Sequence, residues 1–527
     1  MESSAAPAEG LPTGAAAGEK GLKSNAIGYA SNLVIGVAST APGYSLAATL
    51  GFVVAVGGIG FHAPLIMLLS FIPMLLIASA YNYLNRADPD AGTSFAWVTR
   101  AMGPRLGWMT GWAIVAADIV VMAALAYIAG TYTFLLFDWQ SAADSLLAVS
   151  IAAGIWIAVM TAICTIGIQL SARTQVFLLG AEILTLAAFA GVALFKVYFG
   201  DHPGDPLNSV YIHADWFNPF TVHGGTSALV GGILLGVFIY WGWDSGVCVN
   251  EESENSSTGP GKAAVMSTVL LVLIYVTVTV AAQSYAGVDF LRENKNDVLS
   301  ALGEHVFGSP LDKLLIIAVL TSAAASTQTT ILPTARTTLS MARWRAAPKA
   351  LGEIHPRFLT PHVSTILMGV VSLIWTLIII NVSQNVLSDS ITGLGFQIAF
   401  YYGITGFACA IYYRRELSRS FKNFFMAGVV PFLGGAMLTY IFIKALIDNA
   451  PVDSAYSGGF LGVGAAVAIG VGLLLFGVVL LVIANFVYPK FFKRKLETVP
   501  PGFLERPAGE PATTPVAPER EPPTGSG

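Results

Sequence analysis

The chain is predicted to be an all-α polytopic membrane protein with about twelve membrane-crossing helices, and three observations predict it. First, only 11% of its residues are charged and 55% are hydrophobic, with a mean hydropathy of +0.68. Ordinary soluble domains carry about 25% charged residues. Second, apolar runs recur at 27–56, 60–84, 107–136, 146–167, 172–199, 227–249, 262–284, 312–341, 362–381, 388–411, 424–447 and 460–488. Each is near the roughly 20 residues that cross a bilayer, and they are too long and continuous for a soluble core. Third, Lys and Arg collect on alternate loops.

Those charges set the orientation. Arg86, Arg100 and Arg105 lie between spans 2 and 3, Arg173 between 4 and 5, and Lys262 between 6 and 7. Arg336, Arg343, Arg345, Lys349 and Arg357 lie at or between the ends of spans 8 and 9. Arg414, Arg415, Arg419 and Lys422 lie between 10 and 11, and Lys490, Lys493, Arg494 and Lys495 follow span 12. The opposite loops hold only Arg292 and Lys295, with Lys196, Lys313 and Lys444 near span ends. The positive-inside rule therefore puts both termini in the cytoplasm and requires an even number of spans, and the expected location is the cell (plasma or inner) membrane. Residues 1–25, rich in Ala, Gly, Ser and Pro, form a disordered tail with no apolar core, and 26–490 form the membrane domain. The Pro-rich segment 491–527 forms a second disordered tail.

Span 1 reads NLVIGVASTAPGYSLAATLG and cannot be one clean helix. Pro42 lacks an N–H and clashes with the preceding turn, so the helix breaks just before it. Pro suits the first position of a new half-helix. The amides of Gly43, Tyr44 and Ser45 then become donors at a positive helix end, where a small anion such as a substrate carboxylate fits. Lipid does not tolerate such groups, so the break faces a polar cavity or is healed by neighbouring helices as a packing kink. Span 6 carries Tyr240-Trp241-Gly242-Trp243-Asp244 within an apolar run. A glycine between two tryptophans, followed by an acid, suits an unwound segment; the alternative is an aromatic packing patch. Asp244 is placed as a cap on the second half of helix 6. Interruptions five spans apart point to a transporter built from inverted repeats.

At this point the chain resembles the amino acid–polyamine–organocation family of secondary transporters. Pro89 to Trp112, PDAGTSFAWVTRAMGPRLGWMTGW, is similar to the family pattern P-x-A-G-x-x-[YF]-x-[YW] followed by G-P-x-x-G-[WF]-x-x-G-W. Glu251-Glu252 and Asn255 resemble its E-E-x-x-N pattern, with a proline and an alanine following at Pro260 and Ala263, and Ala335-Arg336 through Met341-Ala342-Arg343 resembles its [SA]-R-x-x-x-x-M-[AS]-R segment. The likeness covers about residues 26–490. It implies a core of two inverted five-helix halves with broken helices 1 and 6, plus two extra helices. It also implies a mid-membrane substrate site built by Ser39, Thr40, Ala41, Pro42, Gly43, Tyr44 and Ser45 with Phe238, Ile239, Tyr240, Trp241 and Gly242. In the family, amides of the first break hold an α-carboxylate and carbonyls of both breaks hold the amino group. Here Pro42-Gly43-Tyr44 stand where the family has a Gly-[ST]-Gly turn, which leaves an amine or modified amino acid open beside an α-amino acid.

Glu182 lies mid-span in QVFLLGAEILTLAAF, where a charge costs about 2.5–3.5 kcal/mol and should face the bundle interior. Desolvation favours its neutral form. A carboxyl that loads and unloads a proton suits a proton-coupled carrier; the alternative is a permanently protonated Glu bonded to a neighbouring helix. In some proton-coupled relatives a lysine stands here, near the sodium site of sodium-coupled carriers of the same fold. Asp118 is read as a structural acid paired with a Lys or with backbone. Lys444 near the outer end of span 11 is expected to snorkel. Ser322, Ser326, Thr327 and Thr330 on span 8 are candidates for an ion path, or bond their own helix. Gln397, Tyr401 and Tyr402 on span 10 are candidate gate residues.

Several classes are excluded. The three cysteines, Cys164, Cys248 and Cys409, are far apart and have no metal-ligand spacing, and the histidines form no catalytic or metal pattern. No phosphate-binding Gly-rich Lys loop occurs, which argues against ATP-driven transport, and no paired catalytic groups suggest an enzyme. The formal charge of −4 argues against nucleic acid. No cofactor or metal is expected. The expectation is secondary transport of a small-molecule substrate, an amino acid or related amine, through a lipid bilayer, with a proton as coupling ion. A sodium-coupled or exchange carrier for a polyamine or other organic cation, and a non-transporting membrane sensor on the same scaffold, are the alternatives.

Overall fold

The computed structural model describes residues 20–200, 209–382, 384–455, 457–507 and 509–512. Among them, twelve helices are long and apolar enough to cross a membrane. They are Tyr29–Ala55, Gly60–Ala87, Pro104–Leu136, Leu146–Ile166, Ile168–Phe199, Gly225–Cys248, Gly259–Glu293, Lys313–Arg343, His362–Asn381, Asp389–Tyr412, Phe421–Asn449 and Ala465–Val487, taken below as spans 1 to 12. Strand among the described residues is confined to the short antiparallel pair Gly459–Phe460 and Val463–Gly464. The protein is therefore an all-α, multi-pass membrane protein. A bilayer core leaves no partner for an open backbone, so helices that satisfy their own N–H and C=O groups are what this composition allows.

Both interruptions fall where the local chemistry places them. Span 1 is the helix Tyr29–Ser39 followed by Pro42–Ala55. Ala41 between them takes the left-handed conformation (φ 46°), and the Thr40 and Ala41 amides close onto the Val37 and Ala38 carbonyls. Pro42 then starts the second half, where its missing N–H costs nothing. Span 6 runs as a helix over Gly225–Tyr240, unwinds over 241–244 and resumes at Ser245–Cys248.

Packing sorts the spans into an inner and an outer set. In span 1, 89% of the most apolar window is buried, and in spans 3 and 8, 78%; in span 12 it is 28%. The outer spans carry the exposed large side chains a lipid-facing surface needs, among them Phe177, Leu184 and Phe199 on span 5 and Leu475, Phe476 and Phe486 on span 12. Span 2 packs on span 7, span 3 on span 8, and span 4 on span 9, so helices five apart run side by side. Apolar side chains gain nothing by leaving lipid for each other, so close helix approach rests on small residues. Between spans 10 and 12, a Cβ added at Gly470 would lie 2.5 Å from the Gly393 carbonyl oxygen.

Composition draws the two tails too long. Residues 1–19 and 513–527 lie outside the described residues, but 20–25 and 496–507 are packed against the membrane domain. Leu22 and Phe503 are fully buried. The Val499 amide donates to the Tyr412 carbonyl (3.1 Å), and the Leu504 amide to the Glu416 carboxylate (3.3 Å). A single apolar side chain seated between helices orders a Pro-rich strap that window composition reads as solvated. Lys444 does not simply snorkel: it pairs with Asp448 one turn on and donates to Ser227 Oγ (2.6 Å).

Candidate functional site

The two broken helices meet at their breaks. Gly242 has φ 119°, a conformation side-chain-bearing residues rarely adopt, and an added Cβ would lie 2.7 Å from the Ser39 carbonyl oxygen. Ser39 Oγ and Ser245 Oγ are 2.8 Å apart, and Ser326 Oγ of span 8 donates to the Ser39 carbonyl (2.9 Å). The Ile239 carbonyl, freed by the span 6 break, accepts from the Tyr275 hydroxyl (2.7 Å). Side chains of spans 7 and 8 thus satisfy main-chain groups that unwinding leaves open.

Between the breaks lies a cavity of ≈ 20 Å³, counted as room for water centres. That admits about one or two waters. A cavity of that size holds no organic solute in this conformation, and one fits only if the helices part. Of the residues expected there, Ser39, Thr40, Ala41, Tyr44, Ser45, Phe238, Trp241 and Gly242 line it, as do Ser326, Thr330 and Tyr401. Pro42, Gly43, Ile239 and Tyr240 do not line it. They build the frame: the Tyr240 ring turns to span 2, donating to the Met67 carbonyl (3.1 Å). Gln397 also points elsewhere, donating to Gly470 O on span 12 (2.7 Å). Ser322 and Thr327 do not line the cavity either; Thr327 bonds its own helix, to Ala323 O (2.8 Å).

Asp244, expected as a helix cap, and Asp118, expected as a structural acid, both reach the cavity. Asp244 stands at the cap position, but its side chain does not cap the short helix. Instead it accepts from the Tyr402 (2.8 Å) and Tyr401 (3.2 Å) hydroxyls, and Trp241 Nε1 donates to Tyr401. Asp118 lines the opposite wall and accepts from Thr334 of span 8 rather than pairing with Lys or backbone. The signal for Asp118 was in the sequence: Ile114, Asp118, Val121 and Leu125 recur at helical spacing, and all four line the cavity.

The break amides have partners of their own. Gly43 N donates to Glu182 Oε1 (2.6 Å), Tyr44 N to Ser322 Oγ (3.0 Å), and Ser45 N to the Ala41 carbonyl (2.7 Å). Glu182 is fully buried, faces the interior from span 5, and occupies the anion position at this helix start. Its Oε2 has no hydrogen-bond partner among the described residues. No group of three or more His, Cys, Asp or Glu is placed to hold a metal among the described residues.

On the face where both tails lie, the three segments quoted above for their motifs converge. Arg336 of span 8 makes a two-pronged pair with Glu252 after span 6 (2.6 and 3.0 Å), with side chains 1% and 0% exposed. Lys20 bridges Asp90 (2.7 Å) and Glu251 (2.6 Å). Burial alone would raise the Asp90 carboxyl, but the Lys20 ammonium, the Ser340 hydroxyl and the Gly92 amide bring it down to about 2. Burial raises Glu251, with Lys20 offsetting only part of that. Arg100 joins Asp88 (2.7 Å) to Glu497 of the C-terminal strap (2.6 Å). This cluster ties span 8, the segment after span 6, the loop between spans 2 and 3 and both terminal straps together on that face.

Two interrupted helices around a small buried cavity, inside a bundle of membrane-crossing helices, define the class as a multi-pass membrane carrier. The family profile described as amino acid permease matches residues 24–493, and the chain belongs to that family. It is 20% identical over 386 residues to a low-affinity putrescine importer of Escherichia coli K12, covering 73% of this chain and 81% of that protein. It is 24% identical over 311 residues to the vacuolar cationic amino acid transporter 4 of Arabidopsis thaliana (56% and 49%). It is 21% identical over 317 residues to a branched-chain amino acid permease of Bacillus subtilis (56% and 63%). These relatives are transporters, not enzymes, as the sequence alone suggested.

Proposed function

We propose that the chain is a secondary active transporter of an amino acid or related amine, working by alternating access around the paired breaks and driven by protons through Glu182. The cavity between the two breaks carries the reading of a carrier: a solute held there meets main-chain dipoles and side chains of spans 3, 6, 8 and 10. The tail face is cytoplasmic, supported by the Lys and Arg of its loops, and the membrane is the plasma or inner membrane. The substrates in the relatives' names, a diamine, cationic amino acids and branched-chain amino acids, support the class.

The Gly43–Glu182 bond supports proton coupling. When ionised, Glu182 accepts a charge-assisted bond at a positive helix end, which ties the second half of span 1 to span 5. Protonation neutralises that acceptor and loosens the tie, so proton load and the position of span 1 are linked. Substrate-driven proton uptake into proteoliposomes tests this. Glu182→Gln is expected to abolish proton uptake while substrate counterflow persists. Undiminished proton coupling in that variant removes Glu182 from the mechanism.

A further inference from the structure

The cavity's own chemistry narrows the substrate, on the reading that the chain is a carrier. A carboxylate-bearing substrate needs free donors at the span 1 break. All three candidate amides are already used, and Gly43 N is used by a carboxyl of the chain itself, Glu182 at 2.6 Å. The anion subsite is filled from within.

The walls ask for the opposite charge. Asp118 and Asp244 both line the cavity, and its lining among the described residues holds no Lys, Arg or His. Buried carboxylates are ordinarily paired with a cation or fully hydrogen-bonded. Asp244 has its tyrosines; Asp118, 3% exposed, has Thr334 as its hydrogen-bond partner among the described residues. An ionised carboxyl offers about four acceptor sites, so Asp118 has room for further donors. A second, independent group has no partner among the described residues. The Tyr44 hydroxyl, on a residue 1% exposed that lines the same cavity, makes no hydrogen bond among the described residues. Trp241, Phe238 and Tyr401 add aromatic rings suited to an ammonium, and Ile114, Val121 and Leu125 add an apolar strip suited to a short methylene chain.

We propose that the substrate is a primary alkylamine or diamine that carries no carboxylate, with an ammonium held by Asp118 and Asp244 and its chain along the apolar face of span 3.

Lysine and cadaverine differ by a single carboxylate, so they decide the matter. Purified full-length protein in proteoliposomes is assayed by counterflow of radiolabelled cadaverine, putrescine, lysine and leucine. Cadaverine is expected to exchange faster than lysine, and Asp118→Asn to raise its KM at least tenfold. Lysine or leucine exchanging as fast as cadaverine overturns the proposal while leaving the carrier intact, and so does a smaller KM rise. If none of the four exchanges, the carrier reading falls and this one with it. Should Asp118→Asn fail to fold, Asp118→Glu serves: its carboxylate reaches one methylene further, so preference is expected to move from cadaverine toward putrescine. An unchanged preference overturns the proposal.

Discussion

Breaking the Arg336–Glu252 pair is expected to open the cavity toward the tail face. The pair joins span 8, on one side of the cavity, to the segment that continues span 6 on the other. Its two hydrogen bonds are 2.6 and 3.0 Å and its side chains are almost wholly buried. Removing one partner of such a pair costs about 3–5 kcal/mol, because it strands the other charge. Opening the face lets water reach the stranded guanidinium, so the cost falls on the closed state. At 1.4 kcal/mol per tenfold, Glu252→Gln should shift the closed-to-open equilibrium by about 10²-fold or more. The assay is thiol labelling of Ser326→Cys, a cavity-wall position, in a background where Cys164, Cys248 and Cys409 are replaced. A membrane-impermeant maleimide applied to the tail face should label Glu252→Gln about 10²-fold faster than the parent. The paired change Glu252→Leu with Arg336→Met removes both charges and should return labelling toward the parent rate. If Glu252→Gln lowers the melting temperature yet leaves labelling unchanged, the pair is a static brace and the gate argument fails.

Gly242→Ala should abolish counterflow, because φ 119° strains an L-residue by about 1–3 kcal/mol and its Cβ would press on the Ser39 carbonyl at 2.7 Å; wild-type exchange kinetics would show that the breaks need not touch. Asp297, partly buried at the cap of the helix Val298–Phe307, has its carboxyl raised to about 6 by desolvation, which the Ser300 amide only partly offsets. A carboxyl raised in the folded state favours folding in acid, so stability should rise as pH falls from about 6 to 4 and be lowest above 6. Asp297→Asn keeps a good cap and should flatten that part of the melting-temperature profile, gaining about 1–2 kcal/mol at pH 8 after allowing for partial exposure. An unchanged profile would show that Asp297 does not titrate in this range.

Much of the site was legible because its cause is local. Pro42 and Gly242 announce breaks through missing N–H and Cβ groups, and a chain rule is enough to read them. Asp118 was readable from its spacing with Ile114, Val121 and Leu125, but a lone acid in a span suggests structure more readily than a binding wall. Asp244 was misread for a different reason: acids do favour helix starts, yet three tyrosines (Tyr81, Tyr401 and Tyr402) from spans 2 and 10 compete for it. The packed straps at 20–25 and 496–507 were hidden because Leu22 and Phe503 are isolated apolar residues in polar stretches.

By itself the sequence determined the number of spans, the charge asymmetry of their loops and the two places where helix cannot continue. Each follows from properties carried within a few residues: hydropathy, charge and backbone restriction. Only the tertiary structure decided which groups answer those local demands. Gly43 and Glu182 are 139 residues apart, and Asp118 and Thr334 216 apart. No local rule links such pairs. Helix packing brings them together, and with that it decides that the first break is filled by the chain's own acid and that the cavity is left with two carboxylates.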